Sequence, residues 1–252
     1  GVASSEIVVN RIARFPTTQV KATGILAIGG TVHICFHNKL TDRFQMASRL
    51  GEDWSVETIE EDVEGDGCAL IDDGGQLLIV YQGDGALRMV RGRPGQNWNP
   101  VTIDQVAGSS VGLDPSMVRA DNGDVLVAHR DDTAGGLRLA RRQGGAWTGV
   151  AVDSIFLGGG GSPQVVREGA GYAIYHGIPP GAPGQESDVA LLETTGPLAG
   201  PYETGRFNEV AVGGTVGAAA GPLGTYVATR ELSRSALFGD SDALLLYSGD
   251  PL

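Results

Sequence analysis

The stretch PSMVRADNGDVLVAHRDDTAGGLRLARRQGGAWTGVAVD, from Pro115 to Asp153, decides the fold. It falls into four apolar or alternating runs, PSMVR, DVLVAHR, GLRLARR and AWTGVAVD, separated by the turns ADNG, DDTAG and QGG. Gly, Asn and Asp at those turns accept positive φ and tight reversal, so consecutive runs are antiparallel neighbours in a four-stranded meander. ALIDDGGQLLIVYQGDGALRMVRGRPGQNWNPVTID, from Ala69 to Asp104, repeats the same order.

The unit recurs along the chain. WSVETIE from Trp54, WNPVTID from Trp98 and WTGVAVD from Trp147 mark its last strand, and YETGRFNEVAV from Tyr202 is a looser fourth copy. Five hairpins supply the first two strands of each unit: Ala22–His37, Cys68–Gln82, Pro115–Arg130, Pro163–Gly177 and Gly217–Glu231. A period of this size indicates a propeller. Five first, five second and five third strands are countable, but only four last strands. SEIVVNRIARF, Ser5–Phe15, supplies the missing one by pairing with DALLLYSG, Asp242–Gly249, which closes the ring and covers its edges. The expectation is an all-β chain, a single five-bladed β-propeller over residues 1–252 with four-stranded blades and the N-terminal strand closing the last blade. A two-sheet sandwich is the competing arrangement, and the regular four-strand unit argues against it. Residues 232–237 read equally as a helical turn or an irregular loop.

Composition narrows the partners. Thirty acidic against 18 basic residues give a net charge of −12, which opposes binding to nucleic acid or an anionic membrane and favours neutral or cationic ligands. No run approaches the length of a membrane-spanning helix. The opening at Gly1 reads as a processed or trimmed chain. Cys35 and Cys68 lack the spacing of a redox pair or zinc knuckle, and buried thiols and a disulfide both remain open.

Aligning the second strands places Phe36, Tyr81, His129, His176 and Arg230 at one position near a channel mouth, with Ile34, Ile79, Val127, Ile174 and Ala228 two residues earlier on the same side. Tyr81, His129, His176 and Arg230 are the expected ligand contacts, since aromatic faces and imidazoles beside carboxylates suit a sugar. The other reading makes them packing residues between blades with a satisfied polar tip. Asp66, Asp84, Asp114, Asp131 and Glu231 are the neighbouring acids. No cofactor or metal is expected: His33 and His37, four apart in a strand, stand roughly 13 Å from each other, too far for one zinc. Asp62, Glu64, Asp66, Asp131 and Asp132 offer oxygens to calcium but match no calcium loop and read as solvated acids. Trp54, Trp98 and Trp147 are expected to pack between blades, and Arg88, Arg91, Arg138, Arg141 and Arg142 to cover strand surface with hydrated heads. GIPPGAPGQESD, Gly177–Asp188, is the candidate specificity loop.

On the two quoted units the chain resembles the sialidase-like repeat propellers of bacterial extracellular proteins, although no turn spells Ser-x-Asp-x-Gly-x-x-Trp and no arginine triad is in register. The run LDPSMVRADNG, from Leu113, is also similar to the Asp-Pro-Ser start of five-bladed glycosidases, which implies Asp114 as an axial catalytic acid. The resemblance implies an extracellular or cell-surface propeller that binds a glycan or partner protein. The alternatives are a glycoside hydrolase or polysaccharide lyase on the same scaffold, and a structural module of a secreted assembly.

Overall fold

The computed structural model describes residues 20–51, 53–152, 161–168, 171–178, 188–194, 203–207, 212–221, 224–235 and 239–249. Among these residues the chain is all-β and forms antiparallel sheets of consecutive strands. The first sheet holds β1 (Val20–Ile28), β2 (Thr31–Asn38), β3 (Arg43–Leu50) and β4 (Asp53–Glu60). The second holds β5 (Cys68–Asp72), β6 (Leu77–Gly83), β7 (Ala86–Gly92) and β8 (Val101–Asp104). The third holds β9 (Val111–Arg119), β10 (Val125–Asp131), β11 (Gly136–Gln143) and β12 (Ala146–Ala151). The fourth holds β13 (Gly161–Glu168), β14 (Gly171–Ile178), β15 (Asp188–Thr194) and β16 (Glu203–Phe207). The last described sheet has three strands, β17 (Val212–Gly221), β18 (Gly224–Ser235) and β19 (Gly239–Gly249).

First strands of successive sheets pack on one another, β1 on β5, β5 on β9, β9 on β13 and β13 on β17, as blades do around a propeller axis. This arrangement explains the sequence pattern. Every residue of β6 is buried, because its sheet has a neighbour on each face, and the strand therefore reads LLIVYQG without alternation. The outer β12, AWTGVA, is largely exposed. Three apolar clusters fill the junctions. Cys35, Met46, Ile59, Leu70 and Ile79 join the first sheet to the second. Leu78, Val80, Ile103, Val125 and Val127 join the second to the third. Leu126, Leu139, Val165 and Ile174 join the third to the fourth. Each such side chain contributes about 1.5–3 kcal/mol by leaving water.

β18 runs as strand to Ser235, so residues 232–235 are neither helical turn nor loop: they continue the ladder with β19, pairing Leu232 with Asp242 and Ser235 with Gly239. The closing strand Ser5–Phe15 lies outside the described residues, and so does the fourth partner expected beside β19.

Cys35 on β2 and Cys68 on β5 form a disulfide, with Cα atoms 6.3 Å apart, that ties the first sheet to the second. Its closed loop spans 33 residues in sequence, for which chain entropy gives about 3–4 kcal/mol of stabilisation. Replacing both cysteines by Ala is therefore expected to lower the urea-unfolding free energy by about that amount, and intact mass is expected to rise on alkylation only after reduction. Two alkylated thiols in unreduced, denatured protein would contradict the bridge.

Candidate functional site

The residues aligned on the second strands come to lie at the junctions between sheets. Tyr81 is fully buried; its ring stacks on Phe44 at 3.9 Å, and its hydroxyl donates to Glu60 Oε2 at 2.5 Å. Arg88 completes the contact, with Nη1 2.7 Å from Glu60 Oε1. Burial and the Glu60 carboxylate both push the Tyr81 phenol well above its ordinary pKa. One sheet further on the same device recurs with different chemistry. His129 is fully buried, its Nδ1 accepts the Gly112 N–H at 3.1 Å, and its Nε2 lies 3.1 Å from Asp104 Oδ2. Arg138 closes on the same carboxylate in a fork, Nε to Oδ2 at 2.8 Å and Nη2 to Oδ1 at 3.0 Å. Burial raises the Asp104 pKa, but the bonds and charges of His129 and Arg138 outweigh it and hold the carboxyl at about 2. Gly149 on β12 makes this possible, since a Cβ there would collide with the Asp104 carboxylate.

The last residue of an outer strand, Glu60 or Asp104, thus enters the next sheet and meets the tip of its second strand and an arginine of its third. Arg88 and Arg138 do not keep hydrated heads; Arg138 is only 12% exposed because it neutralises a buried acid. His176, at the same register on β14, is likewise buried. The position opposite it on β15 is Ala190, so the arginine is not repeated there. Tyr81, His129 and His176 are therefore buried and present no open surface to a ligand, and for Tyr81 and His129 the cover is the end of the preceding sheet's outer strand. Arg230 pairs with Leu244 across β18 and β19, and its side chain lies outside the described residues.

The open polar surface lies where the first strands begin. Asp114 sits early in β9 beside a register shift opposite Arg130 and Asp131, and its φ is +46° immediately before Pro115. A non-glycine residue in the left-handed region costs energy, and a following proline disfavours helical backbone further. The segment leading into β5 supplies Asp66 and Gly67. Gly67, at φ +88°, lies so close that a Cβ would stand 2.9 Å from Pro115 Cδ and 3.1 Å from the Asp114 nitrogen. The starts of β5 and β9 therefore meet backbone to backbone. The Asp114 side chain is 29% exposed and its Oδ2 lies 3.6 Å from Arg130 Nε, while Arg130 Nη1 is 2.8 Å from Asp132 Oδ1. Ser116 has a different task, its Oγ accepting the Val165 N–H at 3.0 Å and tying β9 to β13.

Of the other acids, Asp131 is a buried turn cap, accepting the N–H groups of Thr133 and Ala134. Asp84 accepts the Glu64 N–H at 3.2 Å and faces Arg88 at 3.6 Å. Glu231 pairs with Val212 in the ladder, its side chain outside the described residues. Among the described residues no three His, Cys, Asp or Glu side chains converge on one point. His33 instead bonds Ser48 Oγ at 2.9 Å. Trp98 and Trp147 pack at the expected sheet junctions, and Trp54, under the Arg49 guanidinium at 5.8 Å from its ring centroid, borders a pocket shared with Gln76, Leu77 and Pro94 of the second sheet. Residues 179–187 of the specificity loop lie outside the described residues. Sequence reasoning missed Arg130 and Asp132 as a pair because a run of charges after a strand reads as an ordinary solvated turn.

No protein-family model matches the chain, and no curated protein matches it in sequence. Solved structures do match its fold. The GH43 endo-arabinanase of Bacillus licheniformis superposes with a TM-score of 0.55 at 14% identity, covering 91% of this chain and 94% of that one. A GH43 β-1,3-galactosidase determined with galactodeoxynojirimycin gives 0.58 at 12% identity, covering 92% and 91%. The α-L-arabinanase of Cellvibrio cellulosa gives 0.53 at 13% identity, covering 91% of each chain. At such identities the likeness shows the fold, that of a β-propeller. These neighbours are GH43 glycoside hydrolases, which moves the expected resemblance away from the sialidase-like repeats in particular.

Beneath these strand starts lies His37, 1% exposed, against Phe44 and Tyr81. Burial and then the Lys39 charge push its pKa down to about 4, against opposing pulls from Asp66, the Gln82 carbonyl and Asp84. A pKa below the unfolded value of about 6.5 means that the unfolded chain takes up the proton first. Stability is then full above pH 6.5 and falls as pH drops towards 4, by about 3 kcal/mol. Urea titrations from pH 7 to 4.5 are expected to show this loss in the native chain and to show most of it removed in His37→Gln. An equal slope in both would contradict the assignment.

Proposed function

We propose that the chain is a glycoside hydrolase on a five-bladed propeller, working at the mouth formed by the starts of the first strands. Asp114 serves as general acid or base, and Asp66, next to the Gly67 that packs on the Asp114 backbone, is the companion carboxylate from the adjacent sheet. The observation that carries this reading is Asp114 itself: a partly open carboxylate held in left-handed backbone before a proline, beside Arg130. Strain of this kind persists where neighbouring structure enforces it, and it collects at reactive sites. Likeness in fold to enzymes named for arabinan and galactan cleavage supports a neutral glycan as substrate. Sugar hydrolysis needs one group to protonate the leaving oxygen and a second to activate water or attack carbon, both within reach of carboxylates. No cofactor is required. The same proposal includes one domain over residues 1–252, ring closure by Ser5–Phe15 and an extracellular or surface location, to which the disulfide lends support.

A second reading, glycan binding without turnover, is favoured by one feature. Asp114 Oδ2 already faces Arg130 Nε at 3.6 Å, so this partly open acid is an ion-pair member suited to orienting sugar hydroxyls.

The two readings separate in one experiment: sugar release and calorimetric binding measured on arabinan, β-1,3-galactan and xylan oligosaccharides for the native chain and Asp114→Asn. Hydrolysis predicts turnover lowered by about 10²–10⁴-fold with binding little changed. Binding without any turnover in the native chain would select the second reading. Neither binding nor turnover would leave a structural module.

A further inference from the structure

Two of the arginines expected to stand hydrated on the third strands, Arg91 and Arg142, converge at the opposite end of the sheets from the mouth. Asp73, in the turn between β5 and β6, is buried, with 4% of its side chain exposed. Arg142 of β11 grips it as a fork, Nη1 to Oδ2 and Nη2 to Oδ1, each at 3.0 Å. Arg91 Nε lies 2.7 Å from Oδ2, and Arg119 Nε 3.6 Å from Oδ1. One fork already satisfies a carboxylate. Three guanidiniums facing Asp73, with the Asp124 carboxylate beside them, leave one positive charge in excess at this junction, in a chain of net charge −12.

Arg91 and Arg142 border a cavity of about 630 Å³, within the range of saccharide-sized ligand pockets. Arg91 and Arg142 line one side, Trp147 and Met89 give apolar surface, and Asn122 and Asp124 add hydrogen-bonding groups. Arg142 is already fixed, bonded to the Gly123 carbonyl at 3.2 Å and standing 6.0 Å over the Trp147 ring. Arg91 is half exposed. Its Nη1 is free to donate, since Nε and Nη2 serve the Asp73 carboxylate and carbonyl.

We propose that this junction between the second and third sheets binds an acidic saccharide through a uronate carboxylate. The planar carboxylate takes guanidinium donors that Asp73 leaves unused, the C–H face of the ring packs on Trp147, and the hydroxyls bond Asn122 and Asp124. A densely charged polyanion is disfavoured by the overall negative charge and by the carboxylates of Asp73 and Asp124. The site shares no residue with the mouth and does not depend on the hydrolase reading.

Titration calorimetry of the full chain with trigalacturonic acid and with its methyl ester tests the site. The acid is expected to bind, and to bind more weakly at 300 mM than at 50 mM NaCl, while the ester loses at least tenfold in affinity. Arg91→Gln is expected to weaken binding of the acid at least tenfold and Arg91→Lys less, with Asp114→Asn unchanged; Asn122→Ala, at an exposed turn residue lining the same cavity, replaces Arg91→Gln if that variant does not fold, with a loss of at least fivefold expected. Absence of binding at millimolar acid, equal affinity for the ester, or a twofold or smaller effect of Arg91→Gln would overturn the proposal. Loss of binding in Asp114→Asn would also overturn it, by placing the sugar at the mouth.

Discussion

Asp104 stands between two sheets with an imidazole and a guanidinium closed on it, and the docking of those sheets depends on that contact. A buried carboxylate costs several kcal/mol unless its partners arrive in register. The apolar clusters at the junctions tolerate small displacements; the fork of Arg138 does not. Glu60 with Tyr81 and Arg88 imposes the same condition one junction earlier, where the disulfide adds a covalent tie. Relative sheet position is thus set by directed contacts, with apolar burial supplying most of the driving force.

The mouth follows from that docking. Asp66 and Gly67 belong to one sheet and Asp114 to the next, and they approach backbone to backbone only because the sheets beneath them are held at fixed spacing. The left-handed Asp114 is maintained on one side by Gly67 and on the other by the Ser116 bond to β13. At the far end of the same junction Asp73 gathers its arginines by equivalent rules. The junction between the second and third sheets therefore leaves polar groups at both ends of the strands and an apolar centre.

Much of the architecture is legible in the letters. Glycine turns and the recurring Trp-led strands locate the sheets, and the continuous runs LLIVY and VLVAH show strands covered on both faces. The periodic position of Tyr81, His129 and His176 is also legible, but which surface it faces is not, because the covering sheet is remote in sequence. A signal was present: Glu60 and Asp104 end WSVETIE and WNPVTID at the same place, and Tyr81 and His129 each pair with an arginine, Arg88 and Arg138. Three co-periodic positions of acid, ring and guanidinium imply a contact between units. The positive φ of Asp114 had no such signal, since Asp-Pro-Ser ordinarily reads as a turn.

The central claim, that the carboxylates ending β4 and β8 lock the following sheet, is tested most directly by a double-mutant cycle on Asp104→Ala and Arg138→Ala, read as unfolding free energy in urea. The account predicts a coupling of about 2 kcal/mol or more, with each single variant losing about 3–5 kcal/mol. Additive losses, with a coupling below about 0.5 kcal/mol, would contradict it and leave apolar packing as what positions the sheets.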